Sequence, residues 1–465
     1  MFSEFKNFKR LALLRFPLLV FLIFNLSILR AEEFSEASQQ KRSEISQNDL
    51  DSGPFVLSVE NINQRIRSAN PRVLFEKESV QRALEQSFQE RAALLPQISF
   101  DADQNRSQFA RGFAGDSFNT PPFNTFTANV VGTMKIFDTE SYANFKISQL
   151  GTLIAEQDYE VALQDILTQT IQTYFTHLRD LRAFDIALED VKREQELLDL
   201  AKNQFEAGSA VKIDVTRAEV RLATERRNLM EAETSVVDSL LQLKSLLDLD
   251  FDSKVKVDRS VIDGGLKSPP SIKLYSQQKP LTELRPELIS QEKQLEQAKL
   301  ARKAADWQRL PSVSLYGQWG YESDTIFDGN EEEGWIVGIQ ASVPIFEGFR
   351  ISAERREADA AVRQNLHLMQ ELRNDIEREF RFSMIEMDSR YEQIAIAREE
   401  IRLGRDEVKQ AQERYREGLA DNRELIDAQE RLSEAESSEM NAIYLYGLSR
   451  LAFARSIGAP ERVLD

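Results

Sequence analysis

Polar and apolar residues alternate over four short stretches of this chain. In residues 97–109, Ile98, Phe100 and Ala102 fall on one side and Ser99, Asp101 and Asp103 on the other. Residues 125–137 set Phe126, Ala128, Val130, Met134 and Ile136 against Thr125, Thr127, Asn129, Thr133 and Lys135. Residues 312–321 set Val313, Leu315, Trp319 and Tyr321 against Ser314, Tyr316, Gln318 and Gly320, and residues 335–346 set Val337, Ile339, Ala341, Val343 and Ile345 against Gln340, Ser342 and Pro344. A period of two predicts strands. Each run is near the roughly 9–11 residues that a tilted strand needs to cross a bilayer.

Elsewhere the period changes to threes and fours. Leu167, Ile171, Tyr174, Leu178, Leu181, Phe184, Leu188 and Val191 step as a coiled-coil seam does. Proline is absent from 123–268 and from 345–459, and the only glycines in 139–207 and 349–417 are Gly151 and Gly404. This predicts two helices of about 70 residues, roughly 105 Å each at 1.5 Å per residue. Each turns back at a glycine, Gly208 or Gly418, into a shorter helix over 213–248 or 423–456. A short helix over 57–67 and another over 72–94, stopped by Leu95-Pro96, precede the first strand.

The pattern is written twice. Pro71 and Pro96 stand twenty-five residues apart, as do Pro286 and Pro311. Each second proline is followed by an alternating strand, then by an Ile-Phe-acid triplet (Ile136-Phe137-Asp138; Ile345-Phe346-Glu347) and the long helix. The expected organisation is a first repeat over 57–248, with hairpins at 97–137 and 139–248, and a second over 286–458, with hairpins at 312–346 and 349–456. Residues 249–285 link them and 459–465 form a tail. Repetition on this scale means one structural unit used twice.

Composition narrows the function. The N-terminus places Lys6, Lys9 and Arg10 before an apolar run from Phe16 to Phe24 and a small residue at Ala31, the layout of a secretory signal over 1–31. Residues 32–56, rich in Glu, Ser, Gln and Asp, read as a flexible lead-in. Net charge is −18 for the 465 residues; residues 1–31 carry +4, so the remainder lies near −22. Such acidity excludes nucleic acid as a partner, because phosphate binding needs clustered Lys and Arg. There is no cysteine, and the two histidines, His177 and His367, lie in helical runs at unrelated repeat positions. Neither a metal centre nor a cofactor site is expected, and no constellation of nucleophile, base and stabiliser suggests an enzyme. The acidic loop from Asp328 to Glu333 lacks the spacing of a calcium loop.

Four strands cannot close a barrel, and an open edge cannot persist in lipid. Three copies would supply twelve strands, so an exported homotrimer in outer-membrane lipid is expected. Trp319, Tyr321 and Trp335 cluster near one end of their hairpin, where an aromatic girdle would lie. The rival of another class, an exported coiled-coil adhesin or stalk, explains the helices but not the four strands.

The chain from about residue 57 to 458 resembles the TolC-like outer-membrane channel-tunnel proteins, also called outer membrane efflux proteins. The likeness rests on Asn70-Pro71, Leu95-Pro96-x-x-Ser99, the Ile-Phe-acid exits, Phe205-x-x-Gly208-x5-Asp214-Val215-x-x-Ala218 and Tyr415-x-x-Gly418-x5-Glu424-Leu425-x-x-Ala428. The resemblance implies a mixed α+β fold, mainly α and internally duplicated. Four transmembrane strands per protomer form a trimeric twelve-stranded barrel, continued by a long periplasmic helical barrel. It also implies a non-catalytic exit duct working with a periplasmic adaptor and an inner-membrane RND or ABC pump, in small-molecule efflux or in type I protein secretion. Glu424 and Asp427, three apart and so on one helix face, match the family's acidic entrance residues; a trimer would set six carboxylates there. Asp214 resembles the residue that ties neighbouring hairpins shut, and Tyr415 its hydroxyl partner. Ala420 stands where an arginine partner can occur, leaving Arg423 and Lys212 as candidate substitutes. Gly208, Ala210, Val211, Val215 and Gly418 are the expected adaptor-docking surface.

Overall fold

The structure, a computed structural model, describes residues 55–108, 110–113, 116–119, 121–208, 210–259, 267–269, 285–325, 332–417, 419–420 and 422–463. The expected signal segment, most of the lead-in and inter-repeat link, the 328–331 part of the acidic loop, and Gly418 lie outside them.

Two units are present. The small one is a two-stranded parallel ribbon of β1 (Phe55–Leu57) and β6 (Val255–Val257), with Phe55 opposite Val255 and Leu57 opposite Val257. The lead-in therefore ends in a strand rather than running on as flexible chain to residue 56. Three residues are too few for a period to show, and their partner lies about two hundred residues away in sequence.

The large unit carries the repeats. In chain order it contains α1 (Val59–Ala69), α2 (Pro71–Ala92), β2 (Gln97–Ser107), β3 (Ala110–Phe113), β4 (Asp116–Asn119) and β5 (Phe123–Phe137). The helices α3 (Thr139–Glu206) and α4 (Lys212–Leu246) follow. The second half is α5 (Pro286–Trp307), β7 (Ser312–Ser323), β8 (Glu332–Ser342), α6 (Arg350–Arg416) and α7 (Asn422–Ser456). The first-repeat Asn-Pro has a definite task. Asn70 Oδ1 accepts from the backbone N–H groups of Arg72 (2.9 Å) and Val73 (3.2 Å), capping α2, while Pro71 occupies the first turn, where no N–H is required. Asn70 Nδ2 also donates to the Leu246 carbonyl at 2.7 Å, tying α2 to the end of α4.

Four strands make one antiparallel sheet in the order β2-β5-β7-β8. Its register sorts side chains by face. Phe100, Val130, Trp319 and Trp335 stand in one row across all four strands, with Ile98, Leu315, Val337 and Ile339 on the same side. The other side carries the more mixed rows Ser99-Val131-Gln318-Ile336 and Asp103-Thr127-Glu322-Glu332. The apolar side is open: Trp335 is 75% exposed and Ile339 68%. β8 ends at Ser342, short of the expected 346, because Pro344 has no N–H for the ladder. The loop expected between the first two strands holds a further ladder, β3 with β4, whose four-residue strands are too short for alternation to betray. No helix among the described residues is long and apolar enough to cross a membrane.

The helices bury a seam where α3 meets α2, α4, α5 and α7. Leu167, Ile171, Tyr174 and Leu178 are fully buried, but Leu188 is exposed and Ile186, Ala187 and Asp190 replace it. A straight helix drifts about 20° per heptad from a strict seven-residue repeat, so the buried stripe leaves the expected track over this length. Tyr174 and Tyr446 donate their hydroxyls to the carbonyls of Asp258 (2.7 Å) and Lys267 (2.6 Å), anchoring the described parts of the inter-repeat segment. Gly404, alone in α6, lets that helix approach α7: a Cβ there would stand 3.4 Å from the Leu432 Cα.

Candidate functional site

The turn ends of the two helical hairpins bring the singled-out residues together. α3 stops at Glu206 and Gly208 takes φ +74°, a backbone that a side chain resists, with its N–H bonded to the Phe205 carbonyl at 3.0 Å. Ala210 N–H then bonds the Gln204 carbonyl at 3.2 Å, closing the turn.

Asp214 sits in the first turn of α4. Its side chain accepts from Arg217 at 3.3 Å and, at the long limit of 3.5 Å, from the Val211 N–H; its carbonyl accepts from Asn422 Nδ2 at 3.2 Å. That last bond joins the first hairpin to the start of α7. Tyr415 is buried among Leu197, Ala411, Leu425 and Ala428. Its hydroxyl has no hydrogen-bond partner among the described residues, so within one protomer it does not make the bond to Asp214 that the resemblance implies. It nevertheless feels that carboxylate. Burial first, and then the Asp214 charge, push the phenol above its usual range.

Glu424 and Asp427 share a face of α7, and each meets a guanidinium. Arg414, from the last turn of α6, reaches Glu424 with Nε to Oε1 at 2.9 Å. Arg423 lies 4.0 Å from Asp427. Of the two cations expected to stand in for an arginine at Ala420, Arg423 thus faces Asp427. The partner of Glu424 is Arg414, which sequence reasoning did not single out. A contact ten residues apart across a turn has no helical period to announce it.

The expected docking residues divide. Val215 is partly buried against Leu198, Ala201, Ala218 and Leu222 of its own hairpin, and Ala210 is half-buried. Val211 is 60% exposed, with Phe205 and Ile213 exposed beside it in sequence and Leu419 66% exposed in the second turn. Gly418 lies outside the described residues. In the sheet, Trp319 is registered opposite Trp335, its ring stands edge-on to Tyr321 at 5.3 Å, and its Nε1 donates to Glu333 at 3.0 Å. The three aromatics share the apolar face. No group of acidic and histidine residues suited to a metal occurs among the described residues.

A family model described as outer membrane efflux protein matches residues 63–248 and 280–459. The TolC outer membrane protein of Vibrio cholerae is 21% identical over 437 residues, which cover 90% of this chain and 94% of that one. The alkaline protease secretion protein AprF of Pseudomonas aeruginosa is 23% identical over 313 residues, 65% of this chain and 62% of AprF, so the match spans about three-fifths of that relative. Among solved structures, the Campylobacter jejuni CmeC outer membrane channel superposes with a TM-score of 0.73 at 19% identity, over 86% of this chain and 85% of CmeC.

Proposed function

The chain belongs to the outer membrane efflux protein family, and from that premise we propose that it is the exit duct of a tripartite efflux system. In this reading a periplasmic adaptor and an inner-membrane RND or ABC pump feed it through the helical turns. Its fold is that of a trimeric outer-membrane channel with a periplasmic helical extension, and the family's members are transport ducts rather than enzymes. The observation that carries the proposal is the four-stranded sheet with one exposed apolar face and polar residues opposite. Lipid would cover the apolar face, with Trp319, Tyr321 and Trp335 as its girdle, and a water-filled lumen would take the polar one. The outer edges of β2 and β8 find partners in neighbouring protomers.

At the other end, three copies of Glu424 and Asp427 would ring the entrance, each balanced in its own protomer by Arg414 or Arg423. Such a ring draws cations and resists closing as its repulsion rises. Adaptor hairpins would cover the exposed apolar side chains around Gly208 and Gly418, chiefly Val211, Phe205, Ile213 and Leu419. Glu424→Ala combined with Asp427→Ala is expected to raise single-channel conductance or weaken block by multivalent cations. Unchanged conductance and unchanged cation sensitivity would remove both residues from the constriction. The likeness to AprF favours a second reading, type I protein secretion through the same duct. Restoration of drug resistance, as against protease export, in cells lacking their own duct separates the two.

A further inference from the structure

About 18 Å along the helix from the first turn, at twelve residues of 1.5 Å rise, α3 buries a carboxyl that the duct itself does not need. The Glu194 side chain is 5% exposed, and its Oε2 has no hydrogen-bond partner among the described residues. Its nearest cation is Arg221 of α4, whose Nε lies 3.9 Å from Glu194 Oε1 and likewise makes no hydrogen bond. That guanidinium is shared. It lies 3.6 Å from Glu225 on its own helix and 3.7 Å from Glu430 on α7. Just above, Arg193 of α3 pairs with Asp190 and, at 3.0 Å, with Glu436 of α7, which also has Arg405 of α6 at 3.8 Å. Ser433 of α7 donates to Asp190 at 2.8 Å.

The seam between the hairpins therefore holds more carboxyls than guanidiniums. Two of the carboxyls on α3 reach α7 through a shared cation or a hydroxyl, so the charge state of this cluster bears directly on how the second hairpin is held. Eight ionic side chains, five of them carboxyls, meet here across four helices, which is a costly arrangement once every carboxyl is ionised.

We propose that Glu194 is a proton-operated latch between the two helical hairpins: protonated, it lets α3, α4 and α7 close on one another; ionised, it adds an unbalanced negative charge that loosens α7. Burial raises its proton affinity, Arg221 opposes this, and the charges of Glu225 and Asp190 reinforce it, bringing the carboxyl up to about 7. The direction of the effect follows. A folded-state value raised above the ordinary 4.5 contributes stability that is complete below that value and is lost as pH rises through about 7. Alkaline conditions therefore release α7, whose first two turns carry Glu424 and Asp427. The effect on opening rests on the gate reading given above; the latch itself does not.

Two readouts on the detergent-solubilised trimer keep these apart. Hydrogen exchange of α7, taken as the ratio of wild type to Glu194→Gln at each pH, is expected to be near one at about pH 4.5 and to rise at least about threefold by about pH 8.5. A ratio that stays flat overturns the latch. Bilayer conductance of the wild type should rise over the same interval and that of Glu194→Gln should not. If exchange responds while conductance does not, the latch stands and the turns are not the gate. Should Glu194→Gln fail to assemble, Glu225→Gln removes a repelling neighbour. It is expected to move the exchange midpoint at least about half a pH unit lower, and a midpoint unmoved or higher overturns the proposal.

Discussion

Arg285, Glu287 and Arg455 show how single residues hold the repeats together. The buried Arg285 reaches Glu287 at 3.0 Å and Glu379 of α6 at 2.6 Å, while Arg455 of α7 reaches Glu287 at 2.5 Å and Asp165 of α3 at 2.8 Å. Burial would push the Glu287 carboxyl up, but the Arg285 hydrogen bond and the charges of Arg455 and Arg285 outweigh it and hold the group down at about 2. A depressed value contributes stability that is present above pH 4.5 and is lost as pH falls towards about 2. Glu287→Gln should therefore cost about 2 kcal/mol near neutral pH. That difference from wild type should shrink steadily across the acid window when unfolding is followed against pH. A difference that does not change with pH would mean that the carboxylate charge plays no part. Such networks were not legible in the sequence: Arg285-Pro286-Glu287 reads only as a helix start, since the partners on α3, α6 and α7 are remote. The same holds for Arg414, and for Glu194, whose identity as an acid in a charged helix says nothing of its burial.

At the scale of elements, the two faces of the sheet make opposite demands on adjacent residues. Ile339 lies on the apolar face and Gln340 on the polar one. Ile339→Lys is expected to cost about 2–4 kcal/mol near the bilayer midplane and to deplete the heat-resistant trimer on detergent gels. Gln340→Lys should leave the trimer intact. Equal loss from both substitutions would contradict the assignment of faces. The strands could be read in advance because a period of two survives wherever one face meets an apolar surroundings and the other water. The long helices could be read because proline is absent and glycine nearly so. What escaped were the elements without a period: the three-residue strands β1 and β6, the four-residue strands β3 and β4, and the departure of the α3 seam from Leu188 to Ile186 and Ala187. Gly208 was legible as a turn because φ +74° suits glycine. The partial burial of Val215, one position after Asp214, was not legible, because it depends on the return of α3 against α4.

At the scale of the whole molecule, the duplicated sequence and the open-edged sheet lead to one requirement, closure by other copies. A single chain leaves β2 and β8 with outer edges unpaired within its sheet and a row of tryptophan, phenylalanine and branched residues uncovered. Water tolerates neither well, whereas a twelve-stranded barrel in lipid satisfies both. A water-soluble coiled-coil stalk would use the helices equally well and would leave this sheet without a purpose. The direct test is to extract the protein from outer membranes in detergent, confirm its subunit number, and record its current in planar bilayers. The account predicts a heat-resistant trimer that inserts and gives discrete, cation-sensitive conductance steps. A water-soluble monomer that never conducts would contradict it.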